Sequence, residues 1–150
     1  MATEQKTIEK ITKELLENIG LEGIVSVSVS DDGPFLVDIQ GEDLGILIGY
    51  HGETINSFQL ILSMMVHKKL DKWVKILVDT GNYRKDRENR LKEVAEKAAQ
   101  KARFLQKAVE LKPMSSYERM IVHSTISSLE GVKSESVGEG KERYVVVSPV

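Results

Sequence analysis

The chain has 150 residues, 41% of them hydrophobic and 29% charged, with no cysteine and a formal net charge of -2. That size and apolar content suffice for one modest core or two small ones. The lack of cysteine excludes a disulfide framework and a thiolate metal site. No apolar run approaches the ~20 residues that span a bilayer. Met1 to Lys6 lead into a charged amphipathic stretch, unlike the basic segment and apolar run of a secretory signal, so a cytoplasmic location is expected and membrane insertion is not.

Charge is segregated along the chain. Residues 1–56 carry 3 basic against 11 acidic side chains, residues 57–107 carry 13 against 6, and residues 108–150 carry 5 against 6. A mildly acidic protein thus has one strongly basic stretch, and a local surface for a polyanion is compatible with the overall balance.

Ile8, Ile11, Leu15 and Ile19 recur at helical spacing before Gly20, which predicts a helix over 6–19. In 24–30, Val25, Val27 and Val29 alternate with serines. Asp31-Asp32-Gly33-Pro34 then makes a turn, and Phe35, Val37 and Ile39 alternate again, so the stretch predicts a β-hairpin with one apolar face. A short helix over 43–48 runs into Gly49-Tyr50-His51-Gly52. A second helix follows over 53–70, whose stripe of Ile55, Phe58, Leu62, Met65 and Val66 would face the hairpin. Residues 73–78 read as a third strand, with Val74, Ile76 and Val78 on one side.

Residues 82–107 are again helical in period. Leu91, Val94, Ala95, Ala98, Ala102 and Leu105 are expected inward, with Arg84, Arg87, Lys92, Lys101, Arg103 and Lys107 largely outward. Residues 109–112 are extended before Pro113. Ser115 or Ser116 caps a helix over 117–129, with Glu118 near its third position. Residues 132–137 and 144–147, joined by a glycine-containing turn at 138–141, form a closing hairpin. The fold class is α+β, with one domain over 1–80 and a second over 81–150.

Two constellations carry chemistry. The glycines at 49 and 52 make a sharp corner between helices, letting another backbone approach the partial positive charge at a helix N-terminus, where a phosphodiester fits. A GxxG tetrad taken alone is a weak signal that helix packing more often explains, and Tyr50 either stacks on a base or faces solvent. Further on, Arg119 and His123 stand one helical turn apart on one face, able to grip a phosphate and a stacked base. Taken alone, that spacing also fits a solvated helix face.

With Ile46-Leu47-Ile48 before it and Glu53-Thr54-Ile55 after it, in the order α-β-β-α-α-β, the tetrad resembles a type II (bacterial) KH domain. The resemblance implies that Gly49, Tyr50, His51 and Gly52 contact RNA phosphates and that Ile48 and Ile55 line the adjoining groove. The tetrad carries Tyr50 and His51 where many such loops have Lys or Arg, which shifts phosphate binding to backbone N–H groups. The second half, with Lys112-Pro113-Met114 before the pair and Arg143-Tyr144-Val145-Val146 after it, resembles the domain named for an Arg and a His separated by three residues, which binds single-stranded nucleic acid. Arg119 and His123 would be its motif residues, and Arg143 a further phosphate contact.

A KH domain followed directly by this domain, joined through Asp79 and Tyr83-Arg84, is similar to the Jag or KhpB family of bacterial RNA-binding proteins. Longer members carry an N-terminal Jag domain and linker, for which residues 1–150 hold no counterpart. The resemblance implies a single-stranded RNA-binding protein, an RNA chaperone or post-transcriptional regulator linked to cell-envelope growth and cell shape, without cofactor, metal or catalysis. Arg84 and the basic helix after it are read as tracking RNA, although interspersed Glu88, Glu93 and Glu96 also fit a solvated face laced by ion pairs. Acidic substitutions at Gly49 and Gly52 are expected to repel phosphate and leave the sheet folded.

An enzyme is the weak rival, since His51, His67 and His123 lie on separate elements, and His123 with Glu118 lacks a second acid. A protein–protein interaction module is the stronger one. Leu60 and Met64 lie roughly opposite the core stripe, either covered by the first helix or free to pair with a second copy or a small KhpA-like KH partner.

Overall fold

A computed structural model describes residues 2–29 and 31–150; Met1, and Ser30 at the end of the expected first strand, lie outside the described residues. The chain divides into two compact units, residues 1–84 and 85–150.

The first unit runs α1 (Ala2–Asn18), β1 (Ile24–Val29), β2 (Phe35–Gln40), α2 (Gly45–Ile48), a short 3-10 turn (Tyr50–Gly52), α3 (Glu53–Leu70) and β3 (Ile76–Asp79). Its sheet has the order β1-β2-β3, with β2 antiparallel to β1 and parallel to β3. The alternation of branched residues fixes the register, pairing Val25 with Ile39, Val27 with Val37 and Val29 with Phe35. A slip of one residue would turn the whole apolar set of a strand away from the helices. Ile8 and Leu16 of α1, Val37, Ile39 and Val78 of the sheet, and Leu47, Ile55, Leu62 and Val66 of α2 and α3 close one core. Each such burial stabilises by about 1.5–3 kcal/mol. Two buried hydroxyls are satisfied inside it: Thr12 donates to the Ile8 carbonyl and Thr80 to that of Ile39, both at 2.7 Å.

Three details differ from the periodicity. Ile19 lies beyond the end of α1 and is exposed, Thr12 and Leu16 filling the buried face instead. The third strand begins at Ile76, three residues later than expected, which leaves Trp73 outside the sheet. The unit also extends to Arg84, because the side chains of Tyr83 and Arg84 are held within it.

The second unit contains α4 (Tyr83–Leu105, its first two residues counted with the first unit), β4 (Val109–Glu110), α5 (Ser116–Ser127), β5 (Val132–Val137) and β6 (Tyr144–Pro149). The antiparallel sheet has the order β4-β6-β5. Its core joins Leu91, Ala95, Ala98, Ala99 and Ala102 of α4 to Ile121, Val122 and Ile126 of α5 and to Val132, Val145 and Val147. Val94 and Leu105, expected inward, are exposed. Small alanines define the buried stripe; Val94 falls on its edge and Leu105 at the helix end.

Arg87 also departs from its expected outward position. Its Nε and Nη2 donate to the two carboxylate oxygens of buried Glu118 at 2.8 and 3.3 Å. Ser115 caps α5 by accepting from the Glu118 N–H, but the Glu118 carboxylate serves Arg87 and is not free to act beside His123. Among the described residues no helix is long and apolar enough to cross a membrane.

Candidate nucleic-acid interface

In the first unit the candidate contact is built from main chain. Gly49 has φ 69° and ψ −171°, a conformation essentially confined to glycine. A Cβ there would overlap Thr54 Oγ1 and stand 2.7 Å from Thr54 Cβ. His51 (φ 52°, ψ 29°) and Gly52 (φ 78°, ψ 14°) are left-handed as well. The place of a side chain on Gly52 is taken by Tyr83, whose Cε1 would lie 3.0 Å from an added Cβ. Gly52, itself buried, caps α3 without a side-chain hydrogen bond, and the Glu53 N–H at the start of this 18-residue helix donates to the Tyr50 carbonyl. Tyr50 is 70% exposed and stacks on His51, ring centroids 3.9 Å apart at 15°.

The neighbouring side chains divide. Ile48 is half-buried and borders the corner, but Ile55 is 0% exposed within the core, so the expected groove-lining role of Ile55 is corrected. Arg84 is corrected too. Its Nε donates to the Val78 carbonyl at 2.7 Å and its Nη2 to Gln59 Oε1 at 2.9 Å, tying the end of β3 to α3. Its backbone N–H is taken by Asp79. Leu60 and Met64, 63% and 54% exposed, stand with Ile61 on a face of α3 that α1 does not cover.

In the second unit the candidate contact is built from side chains. Ser116, Arg119, Met120, His123, Ser124, Ser127 and Ser136 line an open recess of about 600 Å³. Arg119 is aimed by its own partners: Nη1 donates to the Met114 carbonyl at 2.7 Å and Nη2 to Ser116 Oγ at 3.1 Å. His123 lies against β5, with Nδ1 2.7 Å from Ser134 Oγ and Nε2 2.7 Å from Ser136 Oγ. Partial burial, then the positive charges of Arg119 and Arg143, hold its imidazole below the ordinary histidine value. Arg143 donates through Nη1 to the Gly138 carbonyl at 3.3 Å, and its buried Nε has no partner among the described residues.

The structure therefore brings Arg119, His123 and Arg143 into one electrostatic neighbourhood. Sequence reasoning missed the serines. The signal was present in the period-two placement of Ser134 and Ser136 on β5 and in the spacing of Ser116, Arg119, His123 and Ser127 along one face of α5. A positive, hydroxyl-lined recess with Met120 on its wall suits a phosphate bearing a base.

A three-stranded sheet with a glycine corner between two helices, followed by a small sheet with an Arg and a His on its helix, defines a protein with a KH domain and an Arg-xxx-His domain in series. The family profiles agree: "KhpA/KhpB, KH domain" matches residues 5–78, and the profile of the Arg-xxx-His domain matches residues 89–149. The RNA-binding protein KhpB of Clostridium symbiosum is 32% identical over 98% of this chain and 68% of its own length. The protein of that name from Bacillus subtilis (strain 168) is 34% identical over 73% of this chain and 54% of its own. That of Lactiplantibacillus plantarum is 35% identical over 69% and 32%. The chain belongs to the KhpB family, and it spans from about two thirds to one third of these relatives' lengths.

Proposed function

We propose that the protein binds single-stranded RNA in the cytoplasm at two places, as an RNA chaperone or post-transcriptional regulator linked to cell-envelope growth and cell shape. Binding is passive: it holds the strand and performs no chemistry on it. The observation that carries the reading is the corner between α2 and α3, where Gly49 and His51 hold a positive-φ backbone and Tyr50 lies exposed, with Gly52 buried against Tyr83. Backbone N–H groups there, with Tyr50 and His51 beside them and Ile48 bordering them, take the phosphates of one stretch of strand. Arg119, His123 and Arg143 take another. Two modest contacts on one chain raise the effective concentration of the second once the first has formed. The relatives' designation as RNA-binding proteins supports the same reading.

The test is binding of a labelled unstructured oligoribonucleotide by the full chain at low salt. Wild type is expected to bind, Arg119→Glu and His51→Asp each to weaken binding, and the double variant to lose it. Asp at position 51 suits the left-handed backbone there. Acidic residues at Gly49 and Gly52 are unsuitable, because any Cβ at 49 disturbs the start of α3. Indifference of the wild type to such RNA would overturn the reading.

A second reading has its own observation, the uncovered face of Leu60, Ile61 and Met64 on α3. This face suits pairing with a second KH domain, in another copy or in a small KhpA-like protein. Light scattering with and without that partner tests it. Leu60→Asp with Met64→Lys is expected to abolish any larger species, and an unchanged mass would remove the idea.

A further inference from the structure

α3 ends with Lys68, Lys69 and Leu70 and a left-handed Asp71, and the chain returns to β3 through Lys72, Trp73, Val74 and Lys75. Trp73, the one tryptophan of the sequence, is 66% exposed. Its ring lies flat on that of His67, centroids 4.0 Å apart and planes at 4°. His67 Nδ1 is buried and finds no hydrogen-bond partner among the described residues, so stacking on the indole orients this ring where a polar bond at Nδ1 does not. One face of the indole is occupied by His67, and the other remains for a ligand.

The surroundings are cationic. Lys68, Lys69, Lys72 and Lys75 are all exposed, against Asp71 alone within the stretch, and Lys72 pairs with Glu4 of α1. Lysines in the last turn of α3 complement its dipole, which accounts for Lys68 and Lys69. It accounts neither for Lys75 nor for a large aromatic side chain left in water.

We propose that the His67 and Trp73 stack is a base platform, on which an unpaired nucleobase lies against the outer face of Trp73 while Lys68, Lys69 and Lys75 hold the flanking phosphates. His67 stiffens the indole from behind. The platform lies at the other end of α3 from the glycine corner, roughly 22 Å along the helix at 1.5 Å per residue. It is a separate contact that lengthens the footprint of the first unit, and it rests on the proposal that the chain binds single-stranded RNA.

A sole tryptophan makes the site visible in the full chain. Titration with an oligoribonucleotide carrying a distant dye gives dye anisotropy for binding anywhere and indole emission for the platform. Emission is expected to be quenched in step with rising anisotropy. Trp73→Ala should weaken binding about tenfold, as loss of one stacked base does, and Trp73→Phe should keep most of it. Rising anisotropy with unchanged emission, or with wild-type affinity in Trp73→Ala, overturns the platform and leaves RNA binding in place; no rise at all overturns both. Equal quenching by inorganic polyphosphate assigns the lysines to charge alone and overturns stacking. Emission that responds to phosphatidylserine vesicles and not to the oligonucleotide assigns the surface to a membrane and also overturns it. Should Trp73→Ala melt early, Lys68→Gln with Lys75→Gln, read by the same quenching, decides the question: wild-type quenching affinity counts against the platform, reduced affinity for it.

Discussion

At the glycine corner of the first unit the groups that would meet a ligand are peptide N–H groups, positioned by backbone angles that only certain residues adopt. In the recess of the second unit they are side chains on an ordinary helix, each aimed by a partner: Arg119 by Met114 and Ser116, His123 by Ser134 and Ser136. A main-chain site is intolerant of added atoms at its pivots and indifferent to much of what lies between them. A side-chain site fails by loss of a partner. Substitutions should separate the two kinds of sensitivity.

The largest effect is expected where an atom is added to the first kind. Gly49→Ala should destabilise the first unit by about 3 kcal/mol or more, through an unfavourable backbone conformation and overlap with Thr54. Thr54→Ala should restore only part of this, because Thr54 Cβ itself stands 2.7 Å from the added atom. Denaturant unfolding checks both, and an undisturbed midpoint in Gly49→Ala would remove the backbone argument. Nearly as large is loss of a partner in the second unit. Glu118→Ala removes the two charge-assisted hydrogen bonds that Arg87 makes to this buried carboxylate, and unfolding should be easier by about 1.5–3 kcal/mol. Amide exchange should place the damage in the second unit alone.

Smaller effects sharpen the contrast. His123→Ala removes two hydrogen bonds to β5 and should cost about 1–2 kcal/mol of stability. Arg119→Ala should lower RNA affinity and reduce the slope of log affinity against log salt by about 0.7, the loss of one phosphate contact on a single strand. An unchanged slope would show that Arg119 meets no phosphate.

The smallest effect is a dependence on pH. Because the folded imidazole of His123 lies below its unfolded value of 6.5, the neutral ring favours folding. Its contribution is fully present above 6.5 and is lost as pH falls through the lowered folded value. A bound phosphate favours the charged ring, so oligoribonucleotide should raise the His123 titration midpoint seen by NMR. A midpoint that ignores RNA would place the strand elsewhere.

Much of this was legible in the residues. The hairpin was plain because valine alternation and the Asp-Asp-Gly-Pro turn point the same way, and the observed register pairs those very residues. The stripe of α3 was equally plain, Ile55, Phe58, Leu62 and Val66 all being buried. The face of α4 was not, because periodicity gives large apolar residues weight and the true contact is made by alanines. Arg84 and Arg87 were misread for a related reason. Charge argues for solvent until a partner is known, and Gln59, the Val78 carbonyl and Glu118 lie far away in sequence or on the backbone. The corner and the Arg119 and His123 pair were visible as motifs, whereas the serines around His123 were hidden among residues common on any surface.

The Gly49 geometry has an evolutionary consequence. Position 49 is closed to any residue with a side chain, while Tyr50 beside it lies in the open and has no part in the core. Selection can therefore alter the grip of this corner, adding a cation here or an aromatic ring there, by single exchanges that leave the scaffold's stability almost untouched.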